Sequence, residues 1–104
     1  MLNEYSLKYP GEVLPIELDF TDLLPAGETL TGAPTVTATA LGRITGAAAL
    51  TVASVALNAT NTGVTCRISG GTAKEDYRIE GLCNDTAGNK HGVQGVMQVR
   101  NMGE

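Results

Sequence analysis

The sequence is poor in aromatic and basic residues. Its 104 residues include no Trp, one Phe and three Tyr, and seven Lys or Arg stand against eleven Asp or Glu, for a net charge of −4. The basic residues are scattered singly, whereas binding to a phosphate backbone needs clustered Lys and Arg. We therefore expect no nucleic-acid partner. With so few aromatic side chains, the core must be built from Val, Leu, Ile and Ala.

Long apolar runs are also missing. No segment approaches the roughly 20 apolar residues that are needed to cross a bilayer. The chain opens at Met1 without the basic and then apolar pattern of a secretory leader. We therefore expect a protein that is made in the cytoplasm and has no membrane partner. The length suits one domain over residues 1–104, since it allows a single core.

Cysteine and histidine are scarce, which limits catalytic and metal chemistry. Cys66, Cys83 and His91 lack the C-x-x-C element of zinc sites. No serine stands in the strand-to-helix elbow of hydrolases, and thiols that face a core are poor nucleophiles. We expect no enzyme activity, no metal and no cofactor. A reducing cytoplasm favours free thiols over a disulfide between Cys66 and Cys83.

The clearest pattern is a pair of alternating segments within residues 63–85. Successive strand residues point to opposite faces, and the inward faces predicted here consist of Val64, Cys66 and Ile68, then Tyr77, Ile79, Gly81 and Cys83. Between the two segments, Gly70 and Gly71 permit the positive φ of a tight turn. Tyr77 opens the second segment, which is typical of the tyrosine corner of immunoglobulin-like sandwiches, where the hydroxyl bonds to backbone a few residues upstream. The alternative is an ordinary half-buried tyrosine.

Alternation and turn residues divide the rest of the chain into further strands. We predict these strands at residues 2–9, 12–20, 35–41, 50–57 and 93–100. Pro15 places the second strand at a sheet edge or a strand end, because proline cannot donate to a ladder. Residues 21–34 are predicted to form a long loop, with Leu23, Leu24 and Leu30 holding it against the core. For residues 47–57, β-branched residues and flanking glycines favour a strand over the helix that the alanines favour.

About seven strands at spacings of roughly 8–15 residues, without a convincing helix, predict an all-β fold. We expect an immunoglobulin-like antiparallel β-sandwich, with a jelly-roll-like sandwich as the alternative.

The first nine residues are set apart by the turn signal Pro10-Gly11. They are predicted to form an edge strand or an N-terminal arm that packs on a neighbouring subunit or partner. A strand that joins an exposed sheet edge gains main-chain hydrogen bonds without a large core of its own. The candidate interface residues are Leu2, Tyr5, Leu7 and Tyr9.

Several short motifs follow one another along the chain. They are Asp19-Phe20 followed by Asp22-Leu23-Leu24, the S-G-G-T-A loop over 69–73 with Tyr77 beyond it, the turn over 86–89, and the closing strand over 97–100. In this order they resemble a family of small structural proteins of tailed bacteriophages, the fibre–tail adaptors and head or tail accessory proteins. The resemblance covers most of the chain.

The resemblance implies a non-enzymatic virion protein, made in the cytoplasm of the host bacterium, that joins a tail fibre or spike to the tail. It implies other virion proteins of the tail, fibre or capsid as partners, and a symmetric homo-oligomer within the particle. A capsid decoration or cement protein is the alternative within the same class. A carbohydrate-binding module is the alternative from another class, and the shortage of aromatic residues weighs against it.

Overall fold

A computed structural model describes the backbone of residues 5–101 and the side chains of residues 8–101. Within this range the chain forms seven strands and one short 3-10 helix, at Thr21–Leu23. The strands are β1 (Tyr5–Lys8), β2 (Leu14–Asp19), β3 (Leu30–Ala40), β4 (Leu50–Leu57), β5 (Gly63–Gly70), β6 (Asp76–Asp85) and β7 (Lys90–Val99).

The strands form two sheets with the connectivity of an immunoglobulin-like domain. One sheet has the order β1-β7-β6-β3 and the other has the order β2-β5-β4. In immunoglobulin terms, β3, β6 and β7 occupy the places of strands C, F and G, whereas β2, β5 and β4 occupy those of B, E and D. The predicted fold class is confirmed. One pair departs from an antiparallel arrangement, because β1 runs parallel to β7.

The core lies between the two sheets and is built from the predicted inward faces. Its buried members are Leu18, Phe20, Leu30, Leu50, Val64, Cys66, Ile68, Tyr77, Ile79, Cys83, Met97 and Val99. Fully burying a large apolar side chain contributes about 1.5–3 kcal/mol. The alternation predicted for β5, β6 and β7 is confirmed. Pro15 lies in β2, an outer strand of its sheet, as the absence of its N–H requires.

The strand β3 begins earlier than predicted, at Leu30 rather than at Thr35. Gly32, at φ 79°, and a register shift between Thr31 and Thr35 interrupt the alternation that would have revealed it. Leu30 is buried and Leu24 packs against the core, as expected of residues that hold this segment in place. The prediction is wrong for Leu23, which is 43% exposed.

The strand β4 is confirmed, but its predicted alternation fails in the second half. Ala53 pairs with Arg67 and Ala56 pairs with Thr65, so β4 holds one extra residue there. Ser54 has φ 57°, which marks a β-bulge. The bulge exchanges the two faces, and Val55, rather than Ser54, therefore packs against the core.

Residues 5–8 form an edge strand within the chain's own domain. Their backbone pairs with β7, from Tyr5 opposite Val96 to Lys8 opposite Val99. This pairing makes residues 5–8 an edge strand, one of the two alternatives for the first nine residues. An arm over residues 1–9 that packs on a neighbouring subunit or partner stays a prediction. Leu2 lies outside the described residues.

Candidate interaction surface

Three loops meet at one end of the sandwich. They are the β1–β2 loop (9–13), the β3–β4 loop (41–49) and the β5–β6 loop (71–75). Strand pairing fixes their proximity, because Ala40 lies opposite Tyr77 and Leu50 lies opposite Gly70. We call this end, with these three loops, the corner end.

Tyr77 ties two of these loops together. Its side chain is fully buried at the start of β6. Its hydroxyl accepts a hydrogen bond from the backbone N–H of Thr72 at 3.0 Å and donates to the carbonyl of Ala48. The Thr72 hydroxyl in turn accepts from the Ala48 N–H at 2.8 Å. The bond to Thr72, five residues upstream, is the geometry that a tyrosine corner requires, and the Ala48 bond extends it to the β3–β4 loop.

Gly70 and Gly71 shape the loop that passes over Tyr77. Their φ angles are 77° and 95°, values that side chains rarely adopt. A Cβ atom on Gly71 would lie 2.8 Å from Leu50 Cδ2 and 3.1 Å from Val99 Cγ2, whereas one on Gly70 would meet no atom closer than the Ala49 carbonyl at 3.6 Å. Gly71 therefore serves both the turn and the close packing of the core beneath it.

Glu75 is a buried carboxylate that binds the β3–β4 loop. Its side chain accepts hydrogen bonds from the backbone N–H groups of Arg43 and Ile44, each at 3.0 Å, and of Asp76 at 2.9 Å. The bond from Ile44 is the main cause of a lowered pKa for Glu75, and it acts against the burial, which raises the pKa. The charge of Arg43 lowers this pKa further.

Asp76, the next residue, is held between two arginines. Arg43 Nε lies 2.7 Å from one carboxylate oxygen and Arg100 Nη2 lies 2.8 Å from the other. Arg100 also donates through Nη1 to the carbonyls of Val99 and Glu75. These ion pairs join the β3–β4 loop to the end of β7.

Lys8 joins β1 to the same end. It is fully buried, and its Nζ donates to the carbonyls of Gly70 at 2.7 Å, Tyr9 at 2.9 Å and Pro10 at 3.3 Å. Burial lowers the pKa of Lys8, while the charge of Glu12 raises it. The sequence carries no signal for this role, since all three acceptors are backbone atoms.

At the opposite end of the sandwich, Asp85, the last residue of β6, binds the turn that follows the strand. It is buried and accepts from the N–H groups of Ala87 and Asn89, each at 2.9 Å. The imidazole of His91 lies 2.8 Å from its other oxygen, and this hydrogen bond is the main cause of the lowered pKa of Asp85. His91 is thus bound to a turn carboxylate. Among the described side chains, no group of three or more His, Cys, Asp or Glu could hold a metal ion.

Cys66 and Cys83 are free and buried, one in each sheet. Burial raises the pKa of the Cys66 thiol, which keeps it protonated and a poor nucleophile. The Cys83 sulfur lies 3.5 Å from the carbonyl of Thr31. Both thiols therefore act as packing groups of the core.

Large exposed apolar side chains concentrate at the corner end. Three of the five described, Tyr9 at 37%, Val13 at 57% and Leu41 at 45%, lie in or beside its loops. The other two are Leu23 at the opposite end and Leu82 on the outer face of β6. Of the predicted interface residues, Tyr9 is brought to this exposed group. Tyr5 and Leu7 lie in β1, and the positions of their side chains are not described.

The family model of the podophage GP4 fiber-tail adaptor protein gp77 matches residues 8–93. The chain belongs to this family. The match runs from the buried Lys8 into β7. It includes Glu75, Asp76 and Tyr77 of the corner end, though not Arg100, and Asp85 at the opposite end. The resemblance to phage fibre–tail adaptors is confirmed. The family implies a structural component of the virion that binds other tail or fibre proteins.

No curated protein matches the chain. Within residues 5–101, the structure contains no helix that is long and apolar enough to cross a membrane.

Proposed function

We propose that this protein joins a tail fibre or spike to the tail of a podophage virion through its surfaces and without catalysis. The observation that carries the proposal is the family match over residues 8–93. The structure supports it with a framework in which the buried side-chain N and O atoms that are described all have hydrogen-bond partners. A link of this kind needs fixed surfaces rather than a reactive site.

We place the contact with the virion partner at the corner end. Tyr9, Val13 and Leu41 expose apolar surface there, and interfaces gain most of their free energy from a few buried apolar or aromatic anchors. Tyr77 and Glu75 tie down the β3–β4 loop, which carries Leu41. Lys8 binds the β1–β2 loop, which carries Tyr9 and Val13. Such preorganisation reduces the entropy that is lost on binding.

Exposed basic side chains border this group. The Arg43 side chain is 64% exposed and Lys74 is also exposed. Charges at the rim of an interface guide partner choice and association rate more than affinity. We therefore expect a partner surface with an apolar centre and an acidic margin. The predicted interface residues Leu2, Tyr5 and Leu7 precede this end in the chain and remain part of the proposal.

The proposal can be tested by substituting the exposed apolar residues with Asp. Val13→Asp and Leu41→Asp are the corner-end variants, and Leu82→Asp and Leu23→Asp are matched controls elsewhere on the surface. Each purified variant is added to particles assembled without this protein. Bound variant and incorporated fibre are then measured by quantitative mass spectrometry, and circular dichroism verifies that each variant is folded.

We expect the corner-end variants to lose binding and fibre incorporation, and the controls to retain both. If the control variants lose binding and fibre incorporation while the corner-end variants retain both, the contact lies on another face of the domain. Binding of the wild-type chain to tailless capsids, with no effect on fibre incorporation, would instead support a decoration protein.

A further inference from the structure

The side of the sandwich that is formed by β3 and β4 is nearly free of charged residues. Between Thr29 and Cys66, Arg43 is the single charged residue in the sequence. This stretch contains β3 and β4, which form the outer strands of the two sheets on the same side of the domain. Natural proteins usually protect such edges with charge, because unpaired N–H and C=O groups can recruit another strand.

The other described edges carry protective features. The strand β2 contains Pro15, Glu17 and Asp19, and β1 ends at Lys8 and lies two residues before Pro10. The uncharged strand β4 is interrupted by the bulge at Ser54. A bulge twists an edge away from further pairing.

The strand β3 contains Pro34 at its register shift, but residues 35–40 carry no charge, proline or bulge. Its register shift lies before Thr35, and from there to Ala40 it pairs regularly with β6. None of the seven described strands lies beside its other edge. Thr35, Thr37 and Thr39 are exposed on the outer face, whereas Val36 and Ala38 are half-buried and pack against the core.

The residue types in this segment are nearly symmetric about Thr37, with threonine and small apolar residues alternating on both sides. In T-V-T-A-T, an antiparallel pairing centred on Thr37 sets Thr35 opposite Thr39, Val36 opposite Ala38 and Thr37 opposite itself. Cross-strand threonine pairs stabilise sheets, and no like charges face each other in this register. The half-exposed Val36 and Ala38 would be covered at the same time. A second copy of β3 is thus the strand that this edge fits.

We propose that two copies of the chain associate through their β3 edges, antiparallel and centred on Thr37, to join the two four-stranded sheets into one. The contact is centred on Thr37 of β3 rather than on the three corner-end loops, and it does not depend on the fibre–tail role. Its failure would leave the corner-end proposal standing, and the reverse also holds.

Two variants, one with a positive and one with a negative side chain at position 37, test the pairing of the β3 edges. Inside the domain Thr37 lies opposite Glu80, so Thr37→Lys is compatible with the fold. In the dimer it places two ammonium groups face to face. We expect sedimentation equilibrium to show that the wild-type chain dimerises to twice its 10.8 kDa mass, and that Thr37→Lys or Thr37→Glu weakens the dimer by roughly tenfold or more. A mixture of the two variants should restore it.

A pair of double variants tests the register independently. In Thr35→Lys/Thr39→Glu, each ammonium group would face a carboxylate of the other copy, so dimerisation should persist. In Thr35→Lys/Thr39→Lys it should be lost. Thr51→Lys, on the edge strand β4, is the control for an added charge on this side and should dimerise like the wild type. Unfolding curves verify that each variant is folded.

Several results would overturn the proposal. One is a wild-type chain that stays monomeric at millimolar concentration. Another is a dimer whose dissociation constant does not change when Thr37 is replaced by Lys or Glu. The third is a dimer that is lost with Thr51→Lys alone. A monomeric chain that binds fibre protein in a Thr37-dependent manner would show that β3 accepts a foreign strand, and would equally refute pairing between copies.

Discussion

The Tyr77 hydroxyl offers a sharp test of how the corner end is held. Tyr77→Phe removes one oxygen and leaves the buried ring in place. The Thr72 N–H then loses its acceptor and the Ala48 carbonyl loses its donor. Each such hydrogen bond contributes about 0.5–1.5 kcal/mol net, so two of them set a range of about 1–3 kcal/mol.

The lower part of this range is expected, because both loops lie near the surface and water can reach part of the freed backbone. We therefore predict a loss of about 1–2 kcal/mol in the free energy of unfolding for Tyr77→Phe. Tyr77→Ala also leaves an aromatic-sized cavity and should cost about 3–5 kcal/mol. The difference between the two variants measures the packing of the ring apart from its hydrogen bonds.

Urea unfolding followed by circular dichroism measures both changes, with Tyr9→Phe as the control at an exposed tyrosine. Hydrogen exchange adds a local readout, since the Thr72 amide should exchange faster in Tyr77→Phe. If Tyr77→Phe matches the wild type in both measurements, the hydroxyl does not hold the loops and the tyrosine-corner assignment is wrong. If Tyr77→Ala keeps its stability but loses assembly, Tyr77 is a docking residue.

Three further outcomes follow from the structure. Gly71→Ala should destabilise the fold more than Gly70→Ala in thermal melts, because both strain a positive φ but only a Cβ on Gly71 clashes with the core. Asp85→Asn should be less stable than the wild type at pH 7, and the gap should narrow as the pH falls below about 4 in unfolding titrations, because a carboxylate with a lowered pKa stabilises the folded state only while ionised. Cys66→Ala and Cys83→Ala should each cost on the order of 1–2 kcal/mol in urea unfolding through lost packing, and intact-mass measurement should show both thiols reduced.

Each of these outcomes can fail in a distinct way. Equal melting temperatures for the two glycine variants would mean that the loop relaxes away from the core. If the stability difference between Asp85→Asn and the wild type does not change with pH, the ionised form of Asp85 is not what stabilises the fold. A mass two hydrogens below that of the dithiol form would reveal a disulfide, and its loss would then cost about 2–5 kcal/mol.

The strands that bury one regular face were predictable from the sequence. Residues such as Ile68, Ile79 and Met97 alternate without interruption, and a strand with one face in a core must show this period. The early start of β3 and the second half of β4 were not predictable, because Gly32 and Ser54 shift the register there. A bulge adds one residue to a strand, so an alternation that is correct before the bulge assigns the residues after it to the wrong face of the sheet.

The hydrogen bonds of the buried charged residues at the corner end could not be predicted from the sequence, for a different reason. Glu75 is bound by backbone N–H groups some 30 positions earlier in the chain, at Arg43 and Ile44. Lys8 is bound mainly by the carbonyl of Gly70, 62 positions later. Backbone partners leave no trace in residue identity, so these charged side chains resemble any others in a polar loop. Tyr77 was predictable because its place at the start of a late strand is itself part of the motif.

The parallel pairing of β1 with β7 has a mechanical consequence. Tyr5 lies opposite Val96 and Lys8 lies opposite Val99, so the start of β1 and the end of β7 are at opposite ends of the pair. Tension applied between these two points drags one strand lengthwise past the other and loads their hydrogen bonds all at once, instead of peeling them apart in turn. The Lys8 carbonyl, which accepts from the Arg100 N–H at 3.0 Å, adds a further bond to this sheared set. Rupture under load is governed by the unfolding rate, and a domain pulled in this direction resists sudden stretching better than its modest core would suggest.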